Sequence, residues 1–352
     1  MTNRKINVLV VDDSRLARML LVHLLLSDPQ IQVSAALNDG QAALDFLKDN
    51  KPDVVLMDIH MPGLDGFETT RRIMETQPVP IIICTATTDP DEVATTFPLM
   101  EAGAVACVEK PVSREHADFE QLVTNLLQTI KLMSEVKVVR RWPRLRSIAP
   151  LVPAARPVEL KPAPAGFTFV GVGASTGGPP VLQTILSSLP EDFPGSLLIV
   201  QHIARGFLPG LVEWLNQTTG FQVHVASHGT CPLPGHAYLA PDDFHLGVSA
   251  SGRIRLTQEA LESGLRPAVS YLFRSLAEVC GPDALGVLLT GMGKDGAAEL
   301  KLMKDRGATT IAQDRESSVV HGMPAEAIKL GGATHVLPAD KIGAALATLA
   351  HR

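Results

Sequence analysis

Residues 131–166, "KLMSEVKVVRRWPRLRSIAPLVPAARPVELKPAPAG", cut the chain in two. The stretch holds six prolines and no sustained apolar period. Proline locks φ and donates no amide hydrogen, so neither helix nor sheet runs through such a segment. It reads as a linker whose start continues a helix from "DFEQLVTNLLQTIKLM". Each flank is long enough to bury a core of its own, which sets the expected domains at 1–130 and 167–352.

Both flanks alternate short apolar runs with amphipathic segments. In the first, "INVLVVD", "IQVSAAL", "VVLMDI", "PIIICTA" and "ACVEK" read as strands, separated by helical stretches such as "RLARMLLVHLLL". In the second, "FTFVGVGA", "SLLIVQHI", "HAYLAP" and "LGVLLTGM" read as strands and "VLQTILSSL" and "VSYLFRSLAEVC" as helices. The expected fold class is α/β, two doubly wound domains, because such alternation builds parallel sheets with helices on both faces. "FHLGVSASGRIRL" adds an antiparallel hairpin turning at Ser251-Gly252 to the second domain, whose sheet is otherwise mostly parallel.

Charge narrows the function. Residues 1–130 carry 10 Lys+Arg against 19 Asp+Glu, 131–166 carry 8 against 2, and 167–352 carry 13 against 16. Neither domain offers the basic face that binds nucleic acid. The positive linker reads as solvated chain rather than a docking surface. No apolar run reaches the length of a membrane helix, and the N-terminus meets paired acids too early for a secretory signal. These features point to a cytoplasmic protein without membrane insertion. The four cysteines, Cys84, Cys107, Cys231 and Cys280, have neither CxxC spacing nor histidine clustering and read as free thiols.

In the first domain, Asp12 and Asp13 end the first strand, Asp58 the third, Thr85 the fourth and Lys110 the fifth. Carboxyl ends of parallel strands line one crevice. Three carboxylates there offer hard oxygen ligands to Mg²⁺, while a lysine and a hydroxyl hold phosphoryl oxygens. Asp58 is the candidate nucleophile.

"VVDDS", "LMDIHMPGLDGFE", "TA" and "EKP" in this order resemble the receiver domain of two-component response regulators, across about 120 residues. The resemblance implies a flavodoxin-like fold and a histidine kinase that phosphorylates Asp58 with help from Asp12, Asp13 and Mg²⁺. Receivers often carry an aromatic switch residue three positions before the lysine; here that position is Cys107.

The second domain opens on "VGVGASTGGPP". A dinucleotide fingerprint fails because Thr176 stands where the third glycine belongs, and a Walker loop fails because Pro179 follows Gly178. Gly173-Ala174-Ser175-Thr176-Gly177 instead fits G-x-S-x-G between strand and helix, a turn that presents a serine. Capping of the next helix by Ser175 is the competing reading of this motif. A nucleophilic serine needs a base and an orienting acid. His202 closes the run "SLLIVQH", and Asp295 follows another apolar strand in "LLTGMGKDG", so three strands deliver Ser, His and Asp to one sheet edge. His224, His228 and His236 read as surface or packing residues in turns or hairpin-like segments. A zinc site from His236, Asp243 and His245 is the weaker reading.

"GASTGGP", "QH", "PGHAYLAPDDFH", "TGMGKDGA" and "VVHGMPAEAI" resemble the catalytic domain of the chemotaxis protein-glutamate methylesterases. A receiver, a linker and this domain form that family's layout. The resemblance implies Ser175 as nucleophile, His202 as general base and Asp295 as the acid that orients it, with Thr176 and Met292 lining the site and backbone amides near His202 or Met292 holding the oxyanion. It implies glutamyl methyl esters on chemoreceptor signalling helices as substrates, a second glutamine deamidase activity, and no cofactor for ester hydrolysis. It also implies that an unphosphorylated receiver restrains the esterase. Ser270 and Lys294 depart from the residues that relatives commonly carry, Asp and Asn. Two other readings compete: a catalytically silent, phosphorylation-controlled binding module, and a regulator with a DNA-binding output.

Overall fold

The computed structural model describes residues 4–85, 99–100, 102–111, 119–136, 138 and 169–350. The chain forms two compact units that divide between Ala154 and Ala155. Most of the proline-rich stretch, and residues 86–98, lie outside the described residues.

The first unit runs β1 (Ile6–Val11), α1 (Arg15–Leu26), β2 (Ile31–Leu37), α2 (Gly40–Asp49), β3 (Val54–Met57), α3 (Gly66–Thr76), β4 (Ile81–Thr85), β5 (Ala106–Glu109) and α4 (Phe119–Met133). Its five strands are parallel in the order β2-β1-β3-β4-β5. Every residue of β3 and β4 is buried, as expected of central strands with helices on both faces. Helices start where short polar side chains satisfy their first amides: Ser14 accepts from Ala17 N, Asp39 from Ala42 N and Asp65 from Glu68 N. The order reverses between β1 and β3, and a crevice opens there at the strands' carboxyl ends.

The second unit contains β6 (Phe169–Ala174), α5 (Gly178–Ser187), β7 (Ser196–Gln201), α6 (Leu208–Thr219), β8 (Gln222–Val225), β9 (His236–Leu239), β10 (His245–Val248), β11 (Ile254–Thr257), α7 (Val269–Val279), β12 (Ala284–Leu288), α8 (Ala297–Asp305), β13 (Thr309–Gln313), α9 (Met323–Lys329), β14 (His335–Leu337) and α10 (Ala339–Ala350). Seven strands form a parallel sheet in the order β14-β13-β12-β6-β7-β9-β8. β10 and β11 pair antiparallel as a separate hairpin, and Gly252 at its turn has φ +72°.

Helix α7 covers one sheet face. Val269, Leu272, Phe273 and Leu276 repeat at helical spacing and pack with Leu198, Val200, Tyr238 and Leu288 in one buried cluster. Burial of each such side chain stabilises by roughly 1.5–3 kcal/mol. The helix approaches closely because β6 carries glycines: a Cβ on Gly171 would lie 2.5 Å from Leu276, and one on Gly173 would lie 2.3 Å from Val269. The strand order reverses between β6 and β12, which puts the unit's crevice beside Ser175.

Candidate functional site

Parallel pairing fixes which strand ends meet. Ala174 on β6 is opposite Gln201 on β7, and Gly173 is opposite Leu288 on β12. The next residues, Ser175 and His202, leave adjacent strands side by side. The Ser175 amide donates to Thr290 O (3.0 Å), and the His202 amide donates to Ala174 O (2.9 Å). Ser175 is buried and His202 partly buried.

The turn carrying Ser175 depends on Gly177, whose φ of +79° lies in the left-handed region. A Cβ there would also come within 2.6 Å of Val319. Thr290 Oγ1 donates to Thr176 O at 2.9 Å and accepts from Val320 N at 3.0 Å, fixing the turn from the far side. Ser175 does not cap α5, whose N-cap is Gly177 with no side-chain bond.

Asp295 is buried in the loop between β12 and α8. Its Oδ2 lies 3.0 Å from His202 Nε2. The same carboxylate takes the first amides of α7, Val269 N at 2.6 Å and Ser270 N at 3.0 Å. The positive end of a helix therefore stabilises this anion. Burial alone would push Asp295 up, but His202 and Ser270 outweigh it and hold the carboxyl below its ordinary range. A carboxylate at Nε2 favours the proton on that nitrogen and leaves the lone pair on Nδ1.

A further bond set braces this loop. Ser270 Oγ donates to Glu299 Oε2 at 2.8 Å and accepts from Gly296 N at 3.0 Å. Beyond His202, Gly206 N donates to Asp242 Oδ2 at 2.8 Å and Arg205 pairs with Asp243. Met292 is exposed and Thr176 partly buried, both on loops at this edge. The amides of His202 and Ser175 are committed to carbonyls, so neither donates to an oxyanion.

The alternative zinc set does not assemble. His236 bonds His224 (2.8 Å), and His245 is fully buried between Ala260 O (3.1 Å) and Ala268 N (3.3 Å). Asp243 is taken by Arg205. His224 stands on β8 and His236 on β9, the strand expected from "HAYLAP", with rings stacked 5.1 Å apart. His228 does lie in a loop and accepts Leu256 N at 3.2 Å.

In the first unit, Asp12, Asp13 and Asp58 bring carboxylate oxygens within 4.8 Å of one another, the one such cluster of metal-ligating side chains among the described residues. Asp12 and Asp58 are buried and Asp13 is exposed. Lys110 Nζ reaches Asp12 Oδ2 at 2.7 Å and Asp58 Oδ1 at 3.0 Å, and Thr85 is buried at the end of the adjoining strand. Burial, assisted by Asp12 and opposed by Lys110, pushes Asp58 up. Burial works against the charge on Lys110, yet the two aspartates raise it overall. An all-oxygen donor set with crowded negative charge suits a hard divalent cation. Cys107 lies on β5, packs against the core of this unit, and is pushed up by burial, so it is an inert packing thiol.

The sequence argument missed Gln201, Thr290 and Glu299. Gln201 left a trace, an uncharged polar residue closing an apolar strand; the other two act through contacts distant in sequence.

A parallel sheet with a nucleophile turn, a histidine and a buried aspartate at its switch point defines a serine-hydrolase class of site, joined here to an acidic receiver-type sheet. Residues 170–346 match the CheB methylesterase family and residues 8–121 the response regulator receiver domain. The chain belongs to the CheB methylesterase family. It is 54% identical over 98% of its length, and 97% of the relative's, to a protein-glutamate methylesterase/protein-glutamine glutaminase of Nitrosospira multiformis. It is 51% identical over 98% of its length, and 99% of the relative's, to one of Geobacter metallireducens. The crystal structure of the Thermotoga maritima CheB methylesterase catalytic domain matches with 40% identity and a TM-score of 0.51, covering 53% of this chain and 99% of that domain.

Proposed function

We propose that the chain is a phosphorylation-regulated protein-glutamate methylesterase and protein-glutamine glutaminase, acting on chemoreceptor signalling helices. The observation that carries the reading is the buried Asp295 carboxylate facing His202 at the strand end beside Ser175. His202 Nδ1 takes the Ser175 hydroxyl proton as Oγ attacks the γ-carbonyl of a glutamyl methyl ester. The tetrahedral intermediate collapses, the proton passes from His202 to the leaving oxygen, and methanol departs. Water, deprotonated by His202, then cleaves the acyl-serine and leaves glutamate. On a glutamine side chain the same steps release ammonia. Asp295 stays ionised throughout and stabilises the histidinium. Thr176 and Met292 line the approach, and backbone amides near His202 or Met292, other than that of His202 itself, hold the oxyanion.

In the receiver, Asp58 is the phosphoryl acceptor from a histidine kinase. Asp12, Asp13 and Asp58 would hold Mg²⁺, which when bound neutralises charge on the phosphoryl oxygens. Lys110 and Thr85 hold the remaining oxygens. The described residues contain no helix long and apolar enough to cross a membrane; the reading is of a cytoplasmic enzyme. Methanol release from methylated receptor membranes tests it, comparing wild type with Ser175→Ala, with and without phosphodonor and Mg²⁺. Release that requires Ser175 and rises with phosphodonor is expected. Release by Ser175→Ala at the wild-type rate would remove the nucleophile, and no release by wild type would remove the enzyme.

A further inference from the structure

Gln201 is the last residue of β7 and is almost completely buried. Its side chain crosses toward β6. Nε2 donates one hydrogen to Ser175 O at 2.9 Å and the other to His202 O at 2.7 Å. One amide group thus ties the main chain of the candidate nucleophile to that of the candidate base. Both partners are acceptors, so the amide has one tolerable orientation: a carbonyl turned toward them would meet two more oxygens.

The surroundings are built around this group. A Cβ on Gly178 would fall 2.1 Å from Gln201 Oε1, so only glycine admits the side chain at the start of α5. Oε1 itself is buried without a hydrogen-bond partner. A buried unsatisfied acceptor costs about 1–3 kcal/mol. An apolar residue would avoid that cost but would take the donors away from Ser175 O and His202 O. What the glutamine adds is a fixed relation between two loops that leave adjacent strands.

We propose that Gln201 is a positioning residue for ester hydrolysis, holding Ser175 and His202 in the relative placement that proton transfer requires. The inference rests on Ser175 and His202 being nucleophile and base. Proton transfer is sensitive to small displacements of its partners, and an error of about 1 Å costs on the order of 100-fold. Loss of the clamp therefore acts on the chemical step and leaves substrate binding alone.

The test uses the full-length, phosphodonor-treated protein and two variants. Gln201→Met keeps length and removes both donors. It is expected to lower kcat for methanol release about 10- to 100-fold with KM within twofold of wild type, and to slow fluorophosphonate labelling of Ser175 by the same factor. A folded Gln201→Met protein, by circular dichroism and thermal melting, with kcat within twofold of wild type overturns the proposal. Gln201→Glu serves if the methionine variant does not fold. A carboxylate repels both carbonyls, and its protonated form restores one donor of the two. The ratio of Gln201→Glu to wild-type kcat is therefore expected to rise as pH falls; a ratio constant with pH overturns the proposal. Ser175→Ala separates the two levels. Methanol release surviving in Ser175→Ala would remove the nucleophile on which the inference stands. A Ser175-dependent enzyme indifferent to Gln201→Met would remove the role of Gln201 alone.

Discussion

Asp295 Oδ2 lies 3.0 Å from His202 Nε2 while the same oxygen accepts the Val269 amide at 2.6 Å. The acid is thus held from below by the start of a helix and spends its outward side on the imidazole. Two amides, Val269 N and Ser270 N, donate to this carboxylate, and His202 Nε2 stands beside it.

Asp295→Asn leaves one acceptor oxygen where Val269 N and His202 Nε2 share Oδ2 and Ser270 N takes Oδ1. With its NH₂ at the Oδ2 position the asparagine faces Nε2 with a donor and drives His202 to the tautomer with its proton on Nδ1. That tautomer cannot accept from Ser175. kcat for methanol release should fall roughly 10³- to 10⁴-fold, the scale seen when a triad acid is neutralised in place. Steady-state kinetics on methylated membranes checks this, with circular dichroism showing the fold retained.

Gly177→Ala places a side chain at φ +79° and drives its Cβ to 2.6 Å from Val319. The left-handed conformation costs roughly 1–2 kcal/mol for a residue with a Cβ, and overpacking adds about 1–3 kcal/mol. Urea unfolding of the variant should show a loss of about 2–5 kcal/mol on these two grounds. Fluorophosphonate labelling of Ser175 should slow with it, since the turn that presents the serine is the one under strain.

Asp58→Asn should abolish both phosphoryl incorporation from a small-molecule donor and the rise in methanol release that the donor causes. Removing Mg²⁺ with a chelator should have the same effect on wild type. The variant also carries a stability signature. Burial raises the Asp58 pKa, so its ionisation costs folding energy above the ordinary carboxyl range. The asparagine receiver should be the more stable at neutral pH, and the gain should shrink as pH falls through the raised pKa and be gone below the ordinary carboxyl range. Denaturant titrations at several pH values measure it.

Glu68 shows the opposite sign. Hydrogen bonding from Arg71, opposed by burial and joined by Arg72, lowers its pKa from 4.5 to about 2. A depressed carboxyl stabilises above its unfolded pKa and loses that contribution as pH falls through its folded one. The stability difference between wild type and Glu68→Gln should be constant above pH 4.5 and disappear by about 2. The pairs face solvent on α3, so the difference should be only about 0.3–0.5 kcal/mol per pair.

The catalytic strands were legible for one reason. β6, β7 and β12 are apolar runs buried on both faces, each followed by the polar residue or glycine turn that carries the chemistry. β13, "TTIAQ", was not. All five of its residues are buried, yet Thr310 Oγ1 donates to Gly332 O at 2.6 Å and Gln313 Oε1 accepts Thr290 N at 2.7 Å. Polar side chains satisfied by distant backbone can fill a central strand, and an apolar-run criterion passes over them. β14 has three residues, too few for any period. Asp295 was legible as a residue, but its tie to the start of α7 was not, because nothing in "LRPAVSYLF" signals that a carboxylate from another loop caps it.

The Ser175 amide bonds Thr290 O, so the nucleophile's turn is completed by a strand far downstream. During synthesis Ser175 and His202 emerge well before β12 and Asp295. Pairing across such a separation forms late, because long loops must close first. The half-made chain therefore carries a serine and a histidine with neither the bracing strand nor the acid. With Ser175, His202 and Asp295 in their proposed roles, hydrolysis waits until the sheet is whole.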